Sequence, residues 1–466
     1  MSGAADKETP AAGEGLSAAE DKMRAAGVAE VAIATFAEQY AQLVGGERGL
    51  LPDSDLEPAG EVAALDALEH SGDSSDALDR TVVIKLNGGL GTSMGLSRPK
   101  SLIEVKQGLS FLDLIIRQTL ALRRRHEVRL PLVLMNSFST RDETLSALER
   151  YPRLAADVEA DFVQNMEPKL RTDDLHPVDW PDDPALEWCP PGHGDLYAAL
   201  QASGMLERLR ERGYDYAFVS NSDNLGAVLD ERILAWLAAE DIPFLMEVVE
   251  GTEADRKGGH IARHSDGRLV LRETAQVPDE DEASFRDFRR WRYYNTNSLW
   301  LNLGRLADTL AEREGVLGLP LIVNEKTVDP SDSDSTEVIQ LETAMGAAIA
   351  VFEGAQILHV PRARFAPVKT TNDLLVLRSD AYELDDQARV TPARERRGPA
   401  PLVDLDSQHY KRLREFDAHF PGGPPSLVAC EQLVVHGDVQ FGSGVVVQGS
   451  VELDGPLQIE DGQTLR

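Results

Sequence analysis

The chain has 466 residues, 42% hydrophobic and 27% charged, so it reads as a globular protein too long for one ordinary core and built of two or three domains. A formal net charge of −32 excludes a broad nucleic-acid surface, which needs a basic face. Two cysteines make no disulfide framework, no run is long and apolar enough to cross a bilayer, and no secretory pattern opens the sequence; together these point to a cytoplasmic protein without a membrane partner.

Residues 1–16 are rich in Gly, Ala and Glu and predict a disordered tail. From Ala18 to Leu43 apolar residues recur near 3.6 spacing, opening a helical cap over 17–79 that closes with the polar stretch Ser71–Asp79. A catalytic α/β domain is expected over 80–385, where short apolar runs alternate with amphipathic helices. Thr81–Leu86, Leu130–Met135, Tyr216–Ser220, Pro243–Val249, Asn297–Leu303 and Gln356–Val360 are the predicted strands. Ser110 with Asp113, and Thr140 with Glu143, predict helix caps. Leu229–Ala239 predicts a helix, and so does the spacing of Val338, Leu341, Met345 and Ile349. Such alternation implies a central, mostly parallel sheet that binds ligands beyond the carboxyl ends of its strands.

Residues 386–466 differ in kind. Apolar pairs fall at Leu433/Val435, Val439/Phe441, Val445/Val447, Val451/Leu453 and Leu457/Ile459, with Gly437, Gly442, Gly449 and Gly455 between them. This six-residue repeat predicts a parallel β-helix concerned with packing or assembly, through which a homo-oligomer could form.

The most informative string is Lys85-Leu-Asn-Gly-Gly-Leu-Gly-Thr-Ser-Met-Gly95, followed by Pro99-Lys100-Ser101. Glycines at 88, 89, 91 and 95 let the backbone approach a ligand closely, and successive amides there make a concavity for anions. The loop is neither a Walker A motif nor a dinucleotide fingerprint. A proline-braced lysine beside it suits the charge of a polyphosphate, although a surface turn with a solvated lysine would have the same look.

This string resembles the nucleotide loop of the eukaryotic-type UDP-glucose pyrophosphorylases. Relatives acting on N-acetylhexosamine phosphates usually read Ala-Gly-Gly-Gln-Gly-Thr-Arg-Leu-Gly there, so Asn87, Leu90 and Ser93-Met94 favour the glucose branch. The likeness continues in order from Phe36–Leu51 to the terminal repeat. It implies a Rossmann-like (GT-A-like) nucleotidyltransferase domain that joins UTP to glucose 1-phosphate, giving UDP-glucose and pyrophosphate with Mg2+.

By the same resemblance, Leu86, Asn87, Gly88, Gly89, Gly91 and Thr92 hold the nucleotide. Gln164, in Asp-Phe-Val-Gln-Asn, reads uracil, and Gly192 binds uridine. In the motif Glu187-Trp-Cys-Pro-Pro-Gly-His-Gly-Asp-Leu-Tyr197, His193 binds the glucosyl phosphate, while Cys189 has no evident base beside it and reads as a small apolar residue. In Phe218-Val-Ser-Asn-Ser-Asp-Asn-Leu-Gly226, Asn221 is assigned to the sugar and Asp223 to the metal; a capping role for Asp223 ahead of the next helix is the alternative. Lys257, Gly259 and Glu273 are placed around the hexose, with Thr274 departing from the family's apolar residue. Asn295 and Asn297, two apart on a strand, would face one side and reach sugar hydroxyls. Lys369, in the string Val360–Leu375, matches a second phosphate-binding lysine, which makes Lys100 and Lys369 the catalytic cations. Galactose or N-acetylhexosamine phosphate as the sugar, or a silent nucleotide-binding scaffold, stay open as alternatives.

Overall fold

The computed structural model describes residues 10–47, 49–68 and 75–466. The chain folds as α/β with a central, mostly parallel sheet and divides into two compact units. The first comprises Met1–Val82, Asp161–Val219 and Glu231–Val360; the second comprises Val83–Ala160, Ser220–Asp230 and Pro361–Arg466. Neither is one continuous stretch.

In the first unit, the helical pattern of residues 18–43 resolves into two helices, Pro10–Ala25 and Glu30–Val44. They part at Gly27, whose φ of 77° lies in the left-handed region. Ala19, Met23, Ile33, Phe36 and Tyr40 are buried together with Leu170, Leu321 and Leu341. The expected tail therefore shortens: residues 10–16 belong to the first helix, and 1–9 lie outside the described residues. The expected cap also adds strands: Leu56–Pro58 pairs with His260–His264, and Ala63–Ala64 with Gln356–His359. Part of the polar stretch at 71–79 falls outside the described residues; Ser75–Asp79 is a helix.

Phe244–Glu250 runs parallel to Gln356–His359 and antiparallel to Tyr293–Asn302, a strand that begins before the expected Asn297. The helix expected from Val338 to Ile349 does not form. Glu337–Glu342 is a strand paired with Ile322–Thr327, with Leu341 opposite Val323, and Met345–Ala350 is a 3-10 turn. The apparent helical period arose from joining a β-branched strand to the short turn after it, across Thr343 and Ala344.

In the second unit, Val83–Asn87 pairs in parallel with Leu132–Asn136. Val83, Ile84, Val133 and Leu134 are buried, as the interior strands of a two-sided parallel sheet require. Ser110 caps the helix Phe111–His126 through a complete capping box with Asp113. Thr140 makes no cap bond; its hydroxyl accepts from the Ser137 amide at 2.9 Å, which holds the turn instead.

The terminal repeat pairs in parallel, Leu433 with Val451 and Val439 with Leu457, an offset of three six-residue repeats. Leu433, Val435, Val439, Phe441, Val445 and Val447 are buried, whereas Leu457 in the last rung is exposed. This segment is tied to its own unit. Asp380 accepts from the amides of Leu427 and Val428, and Asn372 accepts from the Leu405 amide. Arg378 bridges to Asp417 at 2.6 Å.

Candidate functional site

The second unit gathers the phosphate-binding candidates at the end of the strand Thr81–Asn87. Its buried Asn87 spends both amide hydrogens internally, on Asn136 at 2.7 Å and Thr144 at 3.0 Å. Asn87 therefore anchors the loop's entrance, and any ligand contact from it comes from elsewhere than those donors. Leu86 accepts from the Ser222 amide at 3.1 Å, which sets the loop beside the Asn221–Gly226 segment. The Gly88 carbonyl accepts from Ser137 at 3.1 Å.

Beyond this point the loop turns on itself. Gly91 and Gly95 have φ of 50° and 71°. Gly91 accepts from Met94 and Leu96, and Gly89 from the Lys100 amide at 3.0 Å. Among the described residues, the amides of Gly89, Leu90, Gly91 and Thr92 have no internal acceptor. Four donors in succession on a partly exposed loop are suited to phosphate oxygens. The bond from Lys100 N–H to Gly89 fixes the lysine's backbone to the same loop.

The Lys100 ammonium lies 2.6 Å from Asp223 Oδ2, with the two side chains 17% and 21% exposed. Asp223 Oδ1 is buried and has no hydrogen-bond partner. A carboxylate oxygen left bare in this way is suited to a hard cation, which takes oxygen ligands and keeps several waters. The residues present thus fit Mg2+ on one carboxylate, with water and phosphate completing the shell. Asp223 caps no helix: the next one is Glu231–Ala239.

Lys369 is placed by the same segment. The Val368 amide donates to the Asp223 carbonyl at 3.2 Å, and Asn224 and Pro367 form an antiparallel bridge. Asn224 completes the clamp: its Nδ2 donates to the Arg364 carbonyl at 3.1 Å, and its Oδ1 accepts from Ala366 at 3.1 Å. Asp373 accepts from the amides of Lys369 and Thr370, both at 2.8 Å, and Thr370 to Asp373 form the capping box of the following helix. The Lys369 side chain is exposed, with no ion-pair partner among the described residues. Lys100, Asp223 and Lys369 are therefore assembled in one unit. Arg364 stands 4.0 Å from Asp230, and Arg362 lies over the Phe365 ring.

The first unit holds the remaining candidates. Gln164, half-buried, follows directly on the strand Asp161–Val163. Its neighbour Asn165 donates through both backbone and side chain to Asp195, at 2.6 and 2.7 Å. Gly192 has φ 77°, and a Cβ there would meet the Thr343 carbonyl oxygen at 2.7 Å. Next to it, His193 Nδ1 accepts from the Met345 amide at 2.9 Å. Burial pushes the imidazole down to about 4. The ring is therefore neutral near pH 7, and its remaining proton sits on Nε2, a donor able to meet an anionic oxygen. Burial also pushes Asp195 up to about 7, opposed by the two Asn165 bonds. Cys189 is buried with its thiol pushed well up by burial, as an unreactive residue should be.

Glu273, half-buried, caps the turn Thr274–Gln276 with its side chain. A Cβ on Gly259 would lie 2.6 Å from Glu273 Oε1, so only glycine admits the carboxylate there. Lys257 is exposed, and its carbonyl accepts from Thr274 Oγ1 at 2.9 Å. The unexpected Thr274 thus closes this loop. Asn295 and Asn297 do converge, but through a bulge: Asn297 has φ 54°, and the pairing register shifts between Met246 and Val248. Asn295 Nδ2 donates to Asn297 Oδ1 at 2.8 Å, and Asn297 N donates back to Asn295 Oδ1 at 2.8 Å. Asn221, half-buried, closes the strand Tyr216–Asn221 and belongs to the second unit.

Sequence reasoning passed over Asn224, Asn165 with Asp195, and the Met345 amide. The first two lie inside the strings that drew attention, so an Asn or Asp beside a candidate residue was the available signal. Met345 was hidden by its misassigned helix.

The family profile described as "UTP--glucose-1-phosphate uridylyltransferase" matches residues 35–448. A protein of that name from Solanum tuberosum is 42% identical over 403 residues, covering 85% of this chain and 82% of its own. A crystal structure of a variant UDP-glucose pyrophosphorylase from Leishmania major in complex with UDP-glucose superposes with a TM-score of 0.91 at 48% identity, covering 97% of this chain and 98% of that one. A UDP-glucose phosphorylase structure from Trypanosoma brucei gives a TM-score of 0.90 at 46% identity, with 97% and 98% covered.

Proposed function

The chain belongs to the UTP–glucose-1-phosphate uridylyltransferase family, and on that premise we propose how its own residues carry the reaction. It is a nucleotidyltransferase that makes UDP-glucose and pyrophosphate from UTP and glucose 1-phosphate. An oxygen of the glucose 1-phosphate phosphate attacks the α-phosphorus of UTP in line. One phosphorus–oxygen bond forms, the bond to the β-phosphate oxygen breaks, and pyrophosphate leaves. The attacking oxygen is already anionic, so no general base and no covalent intermediate are needed. Rate enhancement then comes from positioning and from neutralising charge on the transferring phosphoryl group.

The ion pair between Lys100 and Asp223 carries this reading. It puts a cation and a bare carboxylate oxygen beside the amide-lined glycine loop, on the segment that Val368 joins to Lys369. When triphosphate binds, Lys100 turns from Asp223 to phosphate, which frees the carboxylate. Mg2+ held by Asp223 would lower the charge on the phosphates. Lys369 meets the charge developing at the α-phosphate. The loop amides of Gly89 to Thr92 hold phosphate oxygens, with Leu86, Asn87 and Gly88 fixing their approach.

Gln164 offers uracil one acceptor and two donors, and Asn165 with Asp195 keeps its backbone in place. Gly192 lets the backbone meet the uridine. His193 donates Nε2–H to the sugar phosphate. Asn221, Lys257, Glu273, Asn295 and Asn297 supply hexose contacts, and Gly259 seats Glu273. No helix among the described residues is long and apolar enough to cross a membrane; a cytoplasmic site of action and assembly through the terminal repeat are further parts of this proposal.

The test is pyrophosphate release with UTP, Mg2+ and glucose 1-phosphate, repeated with galactose 1-phosphate and N-acetylglucosamine 1-phosphate. Turnover should need UTP and Mg2+, and kcat/KM should be highest for glucose 1-phosphate. Preference for another sugar would overturn the choice of glucose, and undiminished turnover in chelator would overturn the metal.

A further inference from the structure

Three side chains near the C-terminus stand together and take no part in the reaction above. His409 lies on the short helix Ser407–Tyr410, His419 ends the helix Leu413–His419, and Asp438 sits between the strands Ser426–His436 and Val439–Phe441. One donor atom from each lies within 4.8 Å of the other two. The His419 ring is oriented on both sides. Its Nδ1 is 2.7 Å from the Glu415 carbonyl, and its Nε2 is 3.1 Å from Asp438 Oδ1.

A carbonyl only accepts, so Nδ1 carries a proton. In the neutral ring, Nε2 then presents a lone pair to a carboxylate oxygen, two acceptors face to face. Either a second ring proton or a bound cation resolves this. A proton on His419 leaves His409 unexplained: its ring stands 6.2 Å from that of His419, edge-on, and its nitrogens have no hydrogen-bond partner among the described residues. A cation engages all three groups at once. The bond from Nδ1–H to a backbone carbonyl is also the orienting contact that metal-bound histidines commonly make.

The frame around the three is well fixed. Tyr410 Oη donates to the Val439 carbonyl at 2.6 Å, tying the helix to the strand after Asp438. Asp406 accepts from Gln408 at 2.9 Å and from Gly437 at 2.8 Å, on the two sides of the cluster. The Leu457 amide donates to the Asp438 carbonyl at 2.9 Å. Donors of a tetrahedral zinc site stand about 3.4 Å apart for metal–nitrogen bonds of about 2.05 Å. The 3.1 Å pair already meets that spacing, and rotation of the partly exposed His409 brings in the third group.

We propose that His409, His419 and Asp438 bind a divalent transition metal of the zinc class, with water as the fourth ligand. Two imidazoles and one carboxylate favour such an ion over Mg2+, which prefers oxygen donors throughout. The site would clamp the two helices to a turn of the terminal repeat. It is separate from Asp223 and does not depend on the reaction proposed above.

The experiment uses tag-free, full-length protein stripped with chelator and kept in excess Mg2+. Co2+ is titrated in while visible absorption is followed, then Zn2+ is added to displace it; calorimetry with Zn2+ alone gives the affinity. The expected result is one equivalent of Co2+ with visible bands that Zn2+ abolishes. Affinity should fall at least about tenfold in each of His409→Gln, His419→Ala and Asp438→Asn. Far-UV circular dichroism establishes that the variants are folded, and His409→Gln, on a partly exposed side chain, is the variant least able to disturb folding. Absence of stoichiometric binding by the wild type would overturn the proposal. So would equal binding by the wild type and a folded His409→Gln protein, which would place the metal on other donors.

Discussion

Replacing Lys100 with alanine separates charge neutralisation from structural support. At 2.6 Å and an effective dielectric constant near 20, the bare attraction between Lys100 and Asp223 is about 6 kcal/mol. Desolvating the two ions opposes most of it, and with side chains 17% and 21% exposed the pair contributes about 1 kcal/mol net. Removing the lysine takes the partner of Asp223 Oδ2 while Oδ1 already has none, a cost of about 1–3 kcal/mol. The catalytic loss is expected to be larger, about 3 kcal/mol, because the lysine then no longer meets the charge on the transferring phosphate. Pyrophosphate release should show kcat lowered about 100-fold or more, while calorimetry shows a melting temperature only a few degrees lower. Adding Asp223→Asn should restore much of the stability, by removing the stranded charge, and none of the rate. A Lys100→Ala enzyme turning over within about threefold of wild type, a barrier change of only about 0.7 kcal/mol, would refute the role given to this lysine.

Lys369→Ala should also cost about 100-fold or more in kcat, with the urea midpoint unchanged because the side chain is exposed; a loss confined to KM would make it a binding residue only. Asp195 and His193 should tilt stability with pH in opposite directions. The Asp195 carboxyl, raised to about 7, contributes stability that is full below its unfolded value and is lost as pH rises through about 7. His193, lowered to about 4, contributes stability that is present above about 6.5 and is lost as pH falls from there towards 4. Urea midpoints from pH 4.5 to 7.5 should therefore fall less steeply, or rise, in Asp195→Asn, and do the reverse in His193→Gln; unchanged slopes in both would contradict the burial of these groups. Gly226→Ala should destabilise by about 1–3 kcal/mol, because its Cβ would press on the Arg364 backbone at 3.0 Å; an unaltered urea midpoint would show that the 361–367 segment yields.

What could be read from the sequence was what short-range chemistry encodes. The Thr81–Asn87 strand, the capping box at Ser110 and the glycine loop each declare themselves within about ten residues. Lys100 belongs with them, since its amide bonds back to Gly89. Lys369 is different. Nothing near it speaks of phosphate, and resemblance alone singled it out; the structure supplies the cause in the bridge from Pro367 to Asn224, residues far apart in the chain. The sequence pattern failed where two local rules overlapped. Val338 to Ile349 satisfied a helical period, although β-branched residues were forming a strand that ends before a turn. That misreading hid the amide of Met345, and with it the reason His193 presents Nε2–H.

The same distinction bears on how the site is stabilised. Lys369 and Lys257, two of the side chains proposed to touch substrate, are exposed, whereas Asn87, Asn224 and Asp195, which hold the loops that carry candidate residues, are buried. A buried polar group must find partners in the folded chain: Asn87 donates to the side chains of Asn136 and Thr144, whereas Asn224 and Asp195 bind backbone distant in sequence. Asn224 alone holds three points of the chain, its own turn at Gly226 and the segment at Arg364 and Ala366. On the proposed reading, positional accuracy therefore resides in groups such as Asn224, whose side-chain polar atoms are spent within the chain. Substitution at Asn224 should move Lys369 as surely as substitution at Lys369 removes it.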